Sequence, residues 1–261
     1  MTKWWQEEYG FFGDFYFKGD HSLHGYLSAR ALTVPQRTKE EVHGVRHLLR
    51  LEEGNSVLDL PCGYGRHSIA LAEMGMNVVG GDINRYFLSL AEADARRREV
   101  KVDFRLIDMR QIPYADEFDA AINMCYSFGF FETDEENLNV LRRFLRALKA
   151  GGRFLMHTDV NLPRVRAGTY KEDETRDLES GATLRVIDHY DPETRRINGA
   201  WVITGRDGFS TRKDYSVRVF EKDEFIGMCR EVGFRECVAY STWAGDPWSK
   251  DAEELMFVAT K

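Results

Sequence analysis

No apolar run in this chain approaches the ~18–20 residues needed to cross a bilayer. The N-terminus shows no basic segment leading into an apolar stretch of signal type. Cysteine is scarce: four residues, at 62, 125, 229 and 237, none spaced as C-x-x-C. That spacing excludes a paired-thiolate metal centre and a disulfide framework, and the expected compartment is the cytoplasm, with reduced thiols. A basic excess is also missing, since 36 Lys and Arg stand against 43 Asp and Glu, a net charge of −7. Phosphate backbones reward basic faces, so the balance argues against nucleic acid as a partner. What is present is a core: 43% of the 261 residues are hydrophobic, enough for one large α/β domain or two small ones.

The organising stretch is Ser56-Val57-Leu58-Asp59-Leu60-Pro61-Cys62-Gly63-Tyr64-Gly65-Arg66. Val57, Leu58 and Leu60 form a short β-prone run. Gly63 and Gly65 allow close backbone approach, and Ile69, Leu71, Ala72 and Met74 follow with helical spacing. The result is strand, turn and helix start, and a helix N-terminus offers unpaired N–H groups and partial positive charge to an anionic ligand group. A nicotinamide or flavin fingerprint would place a third glycine or alanine after the turn, where this chain has Arg66, His67 and Ser68.

Three further stretches repeat the pattern of a strand ending in a polar residue. Asn77 to Asp82 places a carboxylate where a βαβ unit meets ribose hydroxyls, although Asp82 could equally cap the helix expected over Arg85–Ala95. Val102 to Met109 alternates and ends in Asp108-Met109. Phe118 to Asn123 runs into the apolar loop Met124-Cys125-Tyr126-Ser127-Phe128-Gly129-Phe130-Phe131.

Asp59-Leu60-Pro61-Cys62-Gly63-Tyr64-Gly65 resembles the first motif of class I S-adenosylmethionine-dependent methyltransferases, with Pro61 where that pattern has its first glycine. The loop wording Ser127-Phe128-Gly129-Phe130-Phe131 is similar to that of small-molecule enzymes, and lacks the N-P-P-[YF] of enzymes that methylate planar nitrogens. The resemblance implies an α/β, Rossmann-like, mostly parallel sheet of seven strands, order 3-2-1-4-5-7-6, whose last strand is antiparallel and whose helices cover both faces. It implies S-adenosylmethionine as cofactor and S-adenosylhomocysteine as product. Carried over by position, the cofactor-binding set is Asp59, Cys62, Gly63, Tyr64, Gly65, Arg66, Asp82, Ile83, Asp108, Met109 and Asn123. Within that set Asp82 meets ribose and Asp108 and Met109 meet adenine, while Arg66 either meets the methionine carboxylate or makes a surface ion pair.

Residues 1–36 form an arm rich in aromatics (Trp4, Trp5, Tyr9, Phe11, Phe12, Phe15, Tyr16, Phe17, Tyr26). It packs on a sheet edge or closes as a lid, since methyl transfer needs water excluded. Thr38-Lys39-Glu40-Glu41 predicts a capping box opening a helix over Val42, Val45 and Leu49. His43 and His47 share one face of it but lack acidic or cysteine partners, and no metal is expected.

Thr133 to Glu136 caps a helix through Leu148 and Lys149, stopped by Gly151, and Gly152 to His157 is the fifth strand. The polar, charged stretch 160–182 predicts a mobile excursion. Three alternating segments, 183–190, 197–204 and 214–220, predict an antiparallel meander. Such inserts cap acceptor pockets or build dimer faces in the resembled enzymes, so a homodimer through the meander is an expectation. A helix over 223–232 and closing strands over 235–242 and 254–260 complete the chain. The expected division is therefore arm 1–36, cofactor domain 37–159 with 221–261, and inserted cap 160–220.

The expected reaction is methyl transfer to nitrogen or oxygen of a small-molecule acceptor. Methylation of RNA or protein, or a non-catalytic scaffold, stays open. His157 and Asp159 are the first candidate bases, with Tyr126 and His189 behind them, and for each an orienting or structural role is the alternative.

Overall fold

A computed structural model describes residues 2–23, 32–170 and 173–261. Tyr26 and part of the 160–182 stretch lie outside them.

After a 3-10 turn at Glu7–Tyr9 come helices α1 (Asp14–Asp20) and α2 (Val34–Leu49). Alternation then follows: β1 (Ser56–Asp59), α3 (Arg66–Glu73), β2 (Asn77–Asp82), α4 (Arg85–Arg97), β3 (Asp103–Leu106), β4 (Phe118–Asn123), α5 (Asp134–Ala147) and β5 (Leu148–Thr158). The excursion contains α6 (Leu162–Arg166) and β6 (Asp173–Asp177). It leads into β7 (Thr183–Asp191), β8 (Arg196–Thr204) and β9 (Ser210–Arg218), and α7 (Lys222–Val232), β10 (Glu236–Tyr240) and β11 (Leu255–Thr260) close the chain.

Seven strands form one sheet in the order β3-β2-β1-β4-β5-β11-β10. Numbered among themselves they run 3-2-1-4-5-7-6, as expected. The first five are parallel, and β11 runs antiparallel to both β5 and β10. Its strands read as apolar runs because both faces are covered. Leu58, Leu60, Phe144, Phe154, Phe225 and Phe257 are fully buried against the flanking helices, each contributing roughly 1.5–3 kcal/mol.

Several boundaries differ from the sequence reading for local physical reasons. Helix α2 starts earlier, with the capping box at Thr33 and Gln36 rather than Thr38 and Glu41. Pro35 lacks an N–H and fits only a first turn, so the helix must open before it. Thr38 is interior, its hydroxyl donating to the Val34 carbonyl at 2.8 Å. Helix α5 does carry the expected Thr133–Glu136 box, but it ends at Ala147. Leu148 instead joins β5 opposite Phe118, with a register irregularity before Ala120.

The cap has four strands, not three, in the order β6-β7-β8-β9. Asp173–Asp177, polar along its length, pairs with β7 as an edge strand. The last meander strand spans Ser210–Arg218, shifted from the predicted 214–220. No helix among the described residues is long and apolar enough to cross a membrane.

The arm lies between sheet and cap. Tyr16 stacks on Trp201 of β8 at 5.1 Å and 9°, and Phe11 meets the same indole at 5.4 Å. Lys213 Nζ donates to the Tyr9 carbonyl at 2.7 Å, and Ser22 bridges Leu178.

Candidate active site

The C-terminal ends of the parallel strands open onto a cavity of about 860 Å³, its mouth included. The site is built from the turn after β1. Gly63 (φ 55°) and Gly65 (φ 81°) are left-handed, and at Gly65 a Cβ would stand 2.6 Å from that of Ala91. Only glycine serves there. Gly65 is the residue from which α3 starts, so the helix N-terminus abuts the cavity.

Asp82, at the end of β2, ties the second strand to this turn. Its Oδ2 accepts the Gly63 N–H and its Oδ1 the Asn84 N–H, each at 2.8 Å. The helix-capping role belongs to Asn84, whose side chain accepts from Phe87 N–H. Burial lifts the Asp82 carboxyl to about 6, against the pull of those amides. Burial raises Asp59 to about 7, although Ser68 Oγ donates to it at 2.6 Å. Beyond β3, Asp108 caps the 3-10 turn Met109–Gln111 and is gripped by Arg110, with Nη2 to Oδ2 at 2.6 Å. The Arg110 guanidinium stands over the rings of Trp5 (4.8 Å) and Phe131 (5.1 Å).

Of the sequence-predicted cofactor residues, Cys62, Gly63, Tyr64, Arg66, Asp82, Ile83, Asp108 and Met109 line the cavity. Asp59, Gly65 and Asn123 do not. Asn123 is fully buried and donates to the Leu60 and Ser127 carbonyls, at 3.0 and 3.4 Å, joining the ends of β1 and β4. The arm contributes Trp5, Phe12, Tyr16 and Asp20 to the wall, and the loop after β4 contributes Met124, Cys125, Ser127, Phe130 and Phe131.

Sequence reasoning missed Asp20 and Phe87. Asp20 stands four residues after Tyr16 on α1, a same-face spacing that the glycines at 13 and 19 masked. It accepts from Tyr64 Oη at 2.6 Å and from Arg37 at 3.2 Å.

A buried ionic network backs this wall. Glu41 pairs with Arg66, with His67 (2.8 Å) and with Arg37 (3.8 Å). Burial opposes its ionisation, but Arg66, His67 and Arg37 outweigh that and hold Glu41 well below the usual range. Burial and the Arg66 charge depress His67 to about 4, so it is neutral. Arg66 also donates to Thr38 Oγ1 at 2.8 Å and to Cys125 Sγ at 2.9 Å. Glu41, Cys125 and His157 offer ligand atoms within 4.8 Å of one another, but the Arg66 guanidinium already supplies the positive charge there. His43 and His47 are exposed on α2.

None of the predicted catalytic groups lines the cofactor cavity. His157 is buried. Its Nδ1 accepts the Cys125 N–H at 3.2 Å, its Nε2 faces Glu254 at 3.4 Å, and its ring lies 5.0 Å from Trp243. Cys125 and Tyr126 are consecutive left-handed residues, φ 55° and 62°, strain of the kind that collects at functional loops. Tyr126 faces the cap, with Val160, Ile197, Tyr170 and Tyr215. Asp159 follows β5, and His189 sits exposed on β7.

A Rossmann-like sheet with a glycine turn after β1, carboxylates at the tips of β2 and β3, and an apolar floor of Ile83, Ile107 and Met109 defines an adenosine-binding fold of the class I methyltransferase type. The donor set fits S-adenosylmethionine: carboxylates for hydroxyls and amines, flat apolar walls for adenine, and aromatic faces for a sulfonium.

Comparison agrees. Residues 57–152 match the family model described as a methyltransferase domain. The chain is 28% identical over 221 residues to the putative methyltransferase YqeM of Bacillus subtilis, covering 81% of this chain and 86% of that one. It is 26% identical over 206 residues to a cypemycin N-terminal methyltransferase of Streptomyces, covering 79% and 83%. The structure of the CcbJ methyltransferase from Streptomyces caelestis superposes with a TM-score of 0.74 over 84% of this chain and 89% of that one, at 17% identity. Residues 57–152 are thus a methyltransferase domain of the class I S-adenosylmethionine-dependent type, and S-adenosylmethionine is the cofactor.

Proposed function

We propose that the protein transfers the methyl group of S-adenosylmethionine to a nitrogen or oxygen atom of a small-molecule acceptor. One observation carries this reading: the cofactor cavity is roofed by the protein's own aromatic arm, and that arm is pinned to the cap through Tyr16 and Trp201. Arm and cap together leave room for a compact acceptor rather than for a duplex. The acidic balance of the chain, −7, points the same way.

When bound, the cofactor supplies an already activated methyl on a cationic sulfur, so the protein's task is alignment and exclusion of water. In this reading Asp82 receives the ribose hydroxyls through the lone pairs its two amide bonds leave free. Asp108 and the Met109 backbone meet adenine, and Arg66 meets the methionine carboxylate. Phe12, Tyr16, Phe130 and Phe131 keep water out. Dispersal of positive charge along the reaction path favours these apolar walls.

The test combines calorimetric titration with S-adenosylhomocysteine and methyl-transfer assays on small molecules, peptides and RNA. The reading expects saturable binding and methylation confined to small molecules. Transfer only to RNA or to internal protein side chains would overturn it, as would binding without any transfer.

A further inference from the structure

Between the ends of β4 and β5 and the inner face of the cap lies a second polar cluster, separate from the cofactor wall. Asp188 of β7 is buried. Tyr170 Oη donates to its Oδ2 at 3.0 Å, and Tyr215 Oη donates to its Oδ1. Asp159 reaches the same region from the end of β5. Its Oδ1 is sealed from solvent and has no hydrogen-bond partner among the described residues. A buried acceptor without a donor is costly and calls for one from outside the chain. The next residue, Val160, packs with Tyr126, Tyr170, Tyr190 and Tyr215.

Charged groups gather at the cluster. Arg176 faces both Asp159 and Asp188 and pairs with Glu174 at 2.7 Å. His157 and Glu254 face Asp159 from the sheet side. The cluster adjoins the cofactor cavity along two routes. Cys125 and Ser127 line that cavity, with Tyr126 between them. Tyr215 packs 5.9 Å from Trp4, which in turn meets Phe130 (4.8 Å) and Phe12 (5.6 Å) of the cavity wall.

We propose that this cluster of tyrosines and carboxylates is the acceptor subsite, that the acceptor is an amine, and that Asp159 takes the proton its ammonium form must lose before attack. The inference rests on the methyltransferase reading above and names its substrate class. Two neighbouring carboxylates, Asp159 and Asp188, attract a cation, tyrosine faces hold ammonium groups, and an ammonium N–H supplies the donor that Asp159 Oδ1 lacks.

The step balances. An N–H bond of the ammonium breaks and its proton goes to Asp159. The freed nitrogen lone pair forms the N–CH₃ bond while the C–S bond breaks, its electron pair staying on sulfur. S-adenosylhomocysteine and a methylated ammonium are the products. Burial raises both carboxyls, Asp188 to about 6, a direction that favours taking up a proton.

The experiment uses the full chain with S-adenosylmethionine and a panel of small primary and secondary amines beside their isosteric alcohols, reading release of S-adenosylhomocysteine. Titration with S-adenosylhomocysteine runs in parallel. Amines should be methylated and alcohols at least about 100-fold less. Asp159→Asn should leave S-adenosylhomocysteine affinity unchanged, lower kcat roughly 100- to 10,000-fold and abolish the acid limb of its pH profile, and Asp159→Glu should restore part of both. Tyr170→Phe, a gentler change, should raise KM more than it lowers kcat. Intact S-adenosylhomocysteine binding with turnover of alcohols but of no amine would overturn the inference while sparing the parent reading, as would an Asp159→Asn enzyme with unaltered kcat and pH profile, whereas binding without any transfer would overturn both. Failure to bind S-adenosylhomocysteine would overturn both.

Discussion

The Asp82 carboxylate accepts the backbone N–H of Gly63 at 2.8 Å, so the tip of the second strand holds the turn that follows the first. This bond sets the distance between the two strand ends across which the proposed site would receive adenosine.

Because burial lifts Asp82 to about 6, cofactor affinity should depend on pH. In the proposed site ribose hydroxyls donate to the ionised carboxylate, and with the carboxyl at about 6 roughly one in ten is ionised at pH 5. Binding of S-adenosylhomocysteine, measured by calorimetry, should be about ten-fold tighter at pH 8 than at pH 5. Asp82→Asn should bind weakly at both and lose this dependence.

The same raised groups set a stability trend in the unliganded protein. Asp59 (about 7) and Asp82 (about 6) hold protons in the folded state that the unfolded chain, near 3.8, has released. Their contribution is therefore greatest in acid, below the unfolded value, and is lost as pH rises through 6 and 7. Urea midpoints of Asp59→Asn should show a flatter pH profile between 5 and 8 than the parent. Glu41 runs the other way: held ionised by Arg66, His67 and Arg37, it supports the fold above its ordinary range and fails it as pH falls.

Removing one member of that network should be severe. Glu41→Gln leaves the buried Arg66 and Arg37 with one fewer counter-charge, and a loss of roughly 3–5 kcal/mol is expected by chemical denaturation.

Arg110 joins the Asp108 carboxylate to the Trp5 ring of the arm. Arg110→Ala should cost about 1–2 kcal/mol and speed proteolytic cleavage within the first twenty residues. Bound S-adenosylhomocysteine should slow that cleavage in the parent.

At Gly65 the constraint is steric. Gly65→Ala places a Cβ at φ 81° against Ala91, and should lower stability by about 1–3 kcal/mol together with cofactor affinity.

The glycine turn and the acidic strand tips that border the cavity were legible in the sequence because these features follow one another at short range. Asp59 to Gly65, Asp82 and Asp108 are each read from their own neighbours, and the strand order follows from the family these motifs resemble. What escaped depended on long-range packing. Asp20 joins the wall only because α1 docks beside Tyr64. Pro35 moved the start of α2, a rule the Thr38 reading overlooked. The polar edge strand Asp173–Asp177 carries no apolar alternation, since only pairing with β7 makes it a strand. His157 looked like a base by its place at the end of β5, whereas its ring is engaged by Cys125 on one side and turned to Glu254 on the other.

The most direct test of the central claim is calorimetric titration of S-adenosylhomocysteine into the full chain and into Asp82→Ala. The account predicts one saturable site per chain in the parent and a loss of affinity of at least about ten-fold, with the fold retained, in the variant. Absence of binding to the parent, or equal affinity in both proteins, would contradict it.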